Sequence, residues 1–127
     1  MFFIIFLLVT VFLQDGFMKQ KICDFKGLAE RACREFTVEN GRFNNDAFII
    51  YFKQRFYAYE NSCPHTGVNL NWQKEQFFSF DGLYLQCSLH GALFEPDSGL
   101  CIRGPCQGAK LKAINLIVED DSVYMAE

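Results

Sequence analysis

Short apolar and β-branched runs alternate with polar turn clusters along most of the chain, a pattern typical of strands rather than helices. Lys53-Gln54-Arg55 predicts a hairpin, and Asp97-Ser98-Gly99 and Glu119-Asp120-Asp121 predict turns. Many short strands at this spacing predict an all-β domain of sandwich or barrel-like type. The runs that predict strands are the surroundings of Ile22 and residues 32–38, 47–52, 56–59, 83–86, 100–102, 111–118 and 123–125.

The first residues form a different segment, because positions 2–13 are apolar except for Thr10. Twelve residues fall short of the ~20 that cross a bilayer as a helix. A secretory signal would carry a positive charge before this run and small residues after it, and neither is present. Residues 1–17 are therefore either a membrane-associating leader or the product of a misassigned start codon. We favour the second interpretation, with a functional domain at 18–127 in the cytoplasm and any membrane contact limited to 1–17.

Length and composition narrow the classes of function. A chain of 127 residues has room for one domain core. Twelve Lys and Arg against 15 Asp and Glu give a net charge of -3, without the basic cluster of a nucleic-acid-binding protein. No G-x-G-x-x-G sequence is present, so no dinucleotide site is expected. Fifteen Phe predict an aromatic core. The six Cys and two His are the candidate residues for a chemical function.

Both histidines lie beside a cysteine, in the sequences Cys63-Pro64-His65 and Cys87-Ser88-Leu89-His90. Each sequence follows a predicted strand, so we expect the two loops side by side at one end of a sheet. Two thiolates and two imidazoles can bind a tetrahedral zinc ion or a two-iron cluster. The spacings common in structural zinc sites are absent, which makes zinc the weaker of the two alternatives.

These residues resemble a known family. Residues 63–67 and 87–94 are similar to the two cluster-binding loops of Rieske [2Fe-2S] proteins. The similarity continues through the turn at 97–99 and through Gly104-Pro105, which resembles the proline loop of that family. The chain is most similar to small stand-alone bacterial members, such as the ferredoxins of oxygenase systems and the small subunit of assimilatory nitrite reductase.

The resemblance implies a ligand set and a fold. Cys63 and Cys87 would bind the buried iron of a single [2Fe-2S] cluster, and His65 and His90 would bind the outer iron through Nδ1. The implied fold is a Rieske-type β-sandwich with a smaller rubredoxin-like cluster-binding subdomain, here at about residues 61–105.

The resemblance also implies a function. The chain would transfer one electron at a time as a ferredoxin-like carrier in an oxygenase or reductase system. Its redox partners would be a reductase donor and an oxygenase or reductase acceptor, so it would not be a complete enzyme alone. Two alternatives remain: a structural or assembly iron–sulfur subunit of an oxidoreductase complex, and a Cys2His2 zinc-binding interaction module.

Three departures from the family pattern carry further expectations. The 21 residues between His65 and Cys87 exceed the usual spacing, and the excess around 72–80 is either a docking surface or packed filler. Val68 and Leu89 stand where respiratory Rieske proteins have a disulfide, so packing and backbone N–H bonds to sulfur must hold the loops. Ala92 and Phe94 replace the Ser and Tyr of high-potential members, which predicts a low potential.

Four cysteines lie outside the implied ligand set. Cys101 and Cys106 flank Gly104-Pro105, so we expect them near the cluster, as buried free thiols rather than as a labile disulfide or sensor pair. Cys33 lies within a predicted strand and Cys23 at the end of one, and both are assigned to the core.

Overall fold

The computed structural model describes residues 19–39, 44–64, 66–71 and 73–126, so the segment 1–17, His65 and Trp72 lie outside the described residues. Within the described residues there are nine strands and no helix, which confirms the predicted all-β class. The described segments therefore contain no helix long and apolar enough to cross a membrane. The strands are β1 (Lys19–Asp24), β2 (Cys33–Glu39), β3 (Asn44–Phe52), β4 (Arg55–Glu60), β5 (Leu85–Gln86), β6 (Leu93–Phe94), β7 (Cys101–Arg103), β8 (Leu116–Glu119) and β9 (Ser122–Ala126).

The largest sheet is the antiparallel meander β2-β3-β4. Its second connection is the predicted hairpin, in which Lys53 and Gln54 have φ of 51° and 67°. Two consecutive positive φ values are those of a type I′ turn, whose twist matches that of the strands it joins. β4 then runs from this turn to Glu60, immediately before the first Cys/His sequence.

A smaller antiparallel sheet, β5-β6-β7, flanks the second Cys/His sequence, which lies between β5 and β6. The predicted strand at 83–86 is confined to β5, because Asp81 holds the preceding residues in a turn. Its Oδ1 accepts the N–H of Leu83 at 3.0 Å and the hydroxyl of Ser79 at 2.6 Å. Such side-chain bonds to nearby backbone compete with strand pairing.

The chain divides into two compact units, of which one contains residues 19–26 and 115–126 among those described and the other contains 27–114. The first unit is the antiparallel sheet β1-β9-β8. Asp120 and Asp121, with φ of 48° and 67°, form the predicted turn between β8 and β9. The Ser122 hydroxyl donates to Asp24 Oδ1 at 2.7 Å and connects β9 to β1.

The predicted strand at 111–118 is wrong over its first half, since β8 begins at Leu116. The residues before β8 pair with different partners one after another. Lys110 forms an isolated bridge with Leu100, and Ala113 forms one with Tyr59. A continuous strand would need one neighbouring strand along its whole length, and this segment has none.

The core of the larger unit is an aromatic cluster on β3. The rings of Phe48 and Phe77 stack with centroids 4.0 Å apart, and Phe78 lies 5.8 Å from Phe52. The aromatic stretch at 72–80 therefore contributes packed filler through Phe77 and Phe78, whereas Phe80 is fully exposed.

We expect Phe77→Ala to lower the free energy of unfolding by about 3–5 kcal/mol, because it removes a buried ring from the stack. Phe80→Ala is the matched control from the same stretch and should change it by less than about 0.5 kcal/mol. Chemical denaturation of both variants measures the difference. A loss of stability in Phe77→Ala as small as that of the control would mean that Phe77 is not part of the core.

Candidate metal centre

The first loop, residues 63–68, is closed by two backbone hydrogen bonds. Cys63 N–H donates to the Val68 carbonyl, and Gly67 N–H donates to the Cys63 carbonyl, both at 2.7 Å. Gly67 has a φ of 80°, a left-handed conformation that glycine adopts without a Cβ penalty. The closed loop keeps Cys63 only 3% exposed. Its histidine, His65, is among the residues that are not described.

The second loop, residues 87–92, repeats this arrangement. Cys87 N–H donates to the Ala92 carbonyl, and Gly91 N–H donates to the Cys87 carbonyl, both at 2.9 Å. Gly91 occupies the same place as the glycine of the first loop, with a φ of 70°. Cys87 is 1% exposed, whereas Leu89 and His90 lie at the surface. The two loops are therefore closed by matching hydrogen bonds, and the cysteine that begins each loop is buried.

Hydrogen bonds connect the two loops through residues 70 and 71, which follow the first loop. Ser88 N–H donates to the Leu70 carbonyl at 2.8 Å. The buried side chain of Asn61 accepts the N–H of Leu70 at 2.7 Å and donates to Asn71 Oδ1 at 2.8 Å. Asn61 thus fixes the end of β4 to the exit of the first loop.

Sequence reasoning missed Asn61 as a positioning residue. The available signal was an Asn at the end of a predicted strand, two residues before Cys63. Asn is common at such places, so this signal alone does not distinguish a buried amide from an exposed turn residue.

The thiols of Cys63 and Cys87 are hydrogen-bonded to each other. Burial raises the pKa of Cys87, and its bond to Cys63 and the proximity of that sulfur raise it further. The N–H groups of Leu89 and His90 donate to the Cys87 sulfur and act in the opposite direction on that pKa. Two adjacent buried thiols lose their protons together only when a cation replaces them.

A third segment, the proline loop at residues 103–108, lies against the other two. A Cβ on Gly104, whose φ is 108°, would lie 2.9 Å from Ala92 Cα in the second loop. Burial, a hydrogen bond with Cys101 and the nearby sulfur of Cys63 raise the pKa of Cys106 to about 12. Cys106 therefore lies beside a predicted ligand, and both Cys101 and Cys106 are buried free thiols as expected. Cys33 is buried as predicted, whereas Cys23 is only half-buried.

The described donor atoms fit a two-iron cluster. In a Rieske cluster each iron takes only two protein ligands, two thiolates on one iron and two imidazoles on the other. The paired thiols of Cys63 and Cys87 match the first set, and soft thiolates suit iron–sulfur clusters. His90, at the surface of the second loop, has the chemistry of the second set.

Comparison with known protein families gives a match for most of the chain. The model of the Rieske [2Fe-2S] domain family matches residues 18–118. The chain belongs to the Rieske [2Fe-2S] family, and the predicted [2Fe-2S] cofactor and electron-transfer class are thereby confirmed. A comparison with curated protein sequences gives no match.

Several solved structures share the fold. The ferredoxin of carbazole 1,9a-dioxygenase from Nocardioides aromaticivorans IC177 has a TM-score of 0.67 at 19% identity, over 86% of this chain and 97% of that one. The ferredoxin of Sphingomonas yanoikuyae B1 has a TM-score of 0.62 at 18% identity, over 86% and 98%. A chain from the complex of reduced oxygenase and oxidized ferredoxin in carbazole 1,9a-dioxygenase has a TM-score of 0.66 at 22% identity, over 86% and 93%. Identities this low show a common fold.

We expect Gly104→Ala to destabilise the protein and to lower its iron content, because the new methyl group would meet the backbone of Ala92. Gly108→Ala is the matched control in the same loop, since Gly108 also has a positive φ but faces open space. The clash should make Gly104→Ala less stable than the control by about 1–3 kcal/mol. Thermal unfolding and iron analysis measure both effects, and equal behaviour of the two variants would contradict close packing of the proline loop on the second loop.

Proposed function

We propose that the chain carries single electrons to an oxygenase component, and that it docks through the exposed ends of the two loops. The observation that carries this proposal is the opposite exposure of neighbouring groups. Cys63 and Cys87 are buried, whereas His90, three residues from Cys87, lies at the surface. The bound [2Fe-2S] cluster supplies one-electron chemistry. An exposed ligand imidazole gives a partner access to that chemistry while the thiolates stay shielded from water.

The ligand assignment is part of this proposal. Cys63 and Cys87 would hold the inner iron, and His65 and His90 the outer iron. Support comes from the thiol–thiol contact, from the N–H bonds to Cys87 and from the matching closure of the two loops. The loop that contains His65 and the loop that contains His90 are closed by the same two kinds of backbone hydrogen bond. Each loop also begins at one of the two buried cysteines.

The surface around His90 is suited to a protein partner. Val68 and Leu89, one on each loop, are 42% and 53% exposed. Exposed apolar side chains beside a redox group favour close approach of a partner, because docking removes them from water. Similar solved structures include a ferredoxin in complex with an oxygenase, which makes an oxygenase the acceptor that we propose.

The proposed donor is a reductase, which would oxidise the nicotinamide, since this chain lacks the G-x-G-x-x-G sequence of dinucleotide-binding domains. We place this exchange in the cytoplasm, with membrane contact only through residues 1–17. Ala92 and Phe94 are both buried and have no hydroxyl, so a low potential stays the prediction for this carrier.

Replacing His65 or His90 with Ala should prevent stable cluster binding, because one iron would lose a protein ligand. Cys33→Ala is the control, since Cys33 is a buried cysteine outside the proposed set. Iron and sulfide analysis together with visible absorption of the purified variants measures cluster content. Full content in either histidine variant would remove that histidine from the ligand set.

Leu89→Glu should slow electron transfer to an oxygenase at least about tenfold, which corresponds to a loss of about 1.4 kcal/mol. Leu83→Glu is the matched control. Leu83 is 52% exposed but shares a surface pocket with Phe52 and Lys53, at the hairpin end of β3. Stopped-flow absorbance of the reduced protein, mixed without oxygen with a ring-hydroxylating oxygenase, gives the rate. Equal rates for the two variants would place the docking surface elsewhere.

A further inference from the structure

Two cysteines remain side by side once the proposed ligands are assigned. Cys106 Sγ donates a hydrogen bond to Cys101 Sγ over 3.0 Å, and both side chains are buried. Formation of a disulfide brings two sulfurs to about 2.05 Å, so the pair needs to close by only about 1 Å. Neither residue has a part in the proposed ligand set.

The backbone holds this pair together independently of the sulfurs. Cys101 N–H donates to the Ala109 carbonyl at 2.8 Å, and Gly108 N–H donates to the Cys101 carbonyl at 2.9 Å. Ala109 N–H donates to the Cys106 carbonyl at 2.9 Å. These bonds keep the two ends of the proline loop adjacent, so small side-chain adjustments can bring the sulfurs into bonding distance.

The cover over the pair is thin. Arg103, Gly104, Pro105 and Gln107 are all exposed, so one layer of the proline loop separates the sulfurs from water. A small oxidant such as hydrogen peroxide can cross such a layer, whereas a bulky disulfide reagent would have to displace it.

We propose that Cys101 and Cys106 are a redox-active dithiol that hydrogen peroxide converts to a disulfide. In the first step the Cys101 sulfur, which accepts the hydrogen bond from Cys106, attacks one peroxide oxygen, the O–O bond breaks, and a sulfenic acid and one water form. In the second step the Cys106 sulfur attacks the sulfenic sulfur of Cys101, the S–S bond forms and a second water leaves. In total the two thiols lose two electrons and two protons, and one peroxide is reduced to two waters.

Peptide mapping of the cluster-loaded protein tests the disulfide directly, because Arg103 lies between the two cysteines. The protein is treated with equimolar peroxide, denatured in the presence of an alkylating reagent and digested with trypsin. A disulfide appears as peptide 104–110 joined to the peptide that ends at Arg103, and reduction separates the two. We expect this cross-linked species, two hydrogens lighter than the sum of its peptides, in the wild type and in the Cys33→Ala control.

Cys101→Ser should remove the cross-link, which also identifies the bonded partner, since the same peptide contains Cys87. Complete alkylation of Cys101 and Cys106 after peroxide treatment would overturn the proposal, as would a cross-link that persists in Cys101→Ser. If this variant fails to fold, fragmentation of the wild-type cross-linked species gives the same assignment.

Failure of the cross-link in a protein of full cluster content would refute the dithiol without affecting the proposed electron-carrier function.

Discussion

The metal centre depends on one repeated backbone constraint. In each loop the N–H of the cysteine and the N–H of a glycine four residues later form the two hydrogen bonds that close it. Gly67 and Gly91 both require a left-handed φ, which a side chain would make costly. This closure satisfies the backbone groups next to each cysteine without water, so the sulfurs can be buried. The two copies then bring the sulfurs of Cys63 and Cys87 into contact.

The buried sulfur pair explains why Cys87 is buried while His90, three residues later, is exposed. Two thiolates side by side in a buried site repel each other, and a bound cation is what makes their deprotonation favourable. The imidazole of a neutral histidine has no comparable cost at the surface. The loops therefore suit a cluster that is shielded on its thiolate side and accessible on its imidazole side. The exposed Val68 and Leu89 extend this accessible side into an apolar surface.

Local signals were sufficient to predict much of the fold and of the site. The strand runs at 32–38, 47–52 and 56–59 and the hairpin at Lys53-Gln54 are confirmed, because short apolar, β-rich runs and the turn residues between them specify them locally. β6 and the shortened β8 were not predictable in this way, since their limits are set by which segments lie opposite them. For the same reason no residue pattern separated the stacked Phe77 from the exposed Phe80. The Cys and His spacing predicted a zinc ion or a two-iron cluster, and the resemblance to Rieske proteins implied the cluster. The positioning role of Asn61 depends on contacts across ten residues of chain.

The sequence contains only two histidines, so one measurement can test the proposed cluster ligands directly. Pulsed EPR on the dithionite-reduced protein, prepared with ¹⁵N-labelled histidine, detects nitrogen nuclei bonded to the cluster. The proposed ligand set of Cys63, His65, Cys87 and His90 predicts two strongly coupled ¹⁵N nuclei, one from each histidine. A spectrum with one such nucleus or none would contradict it.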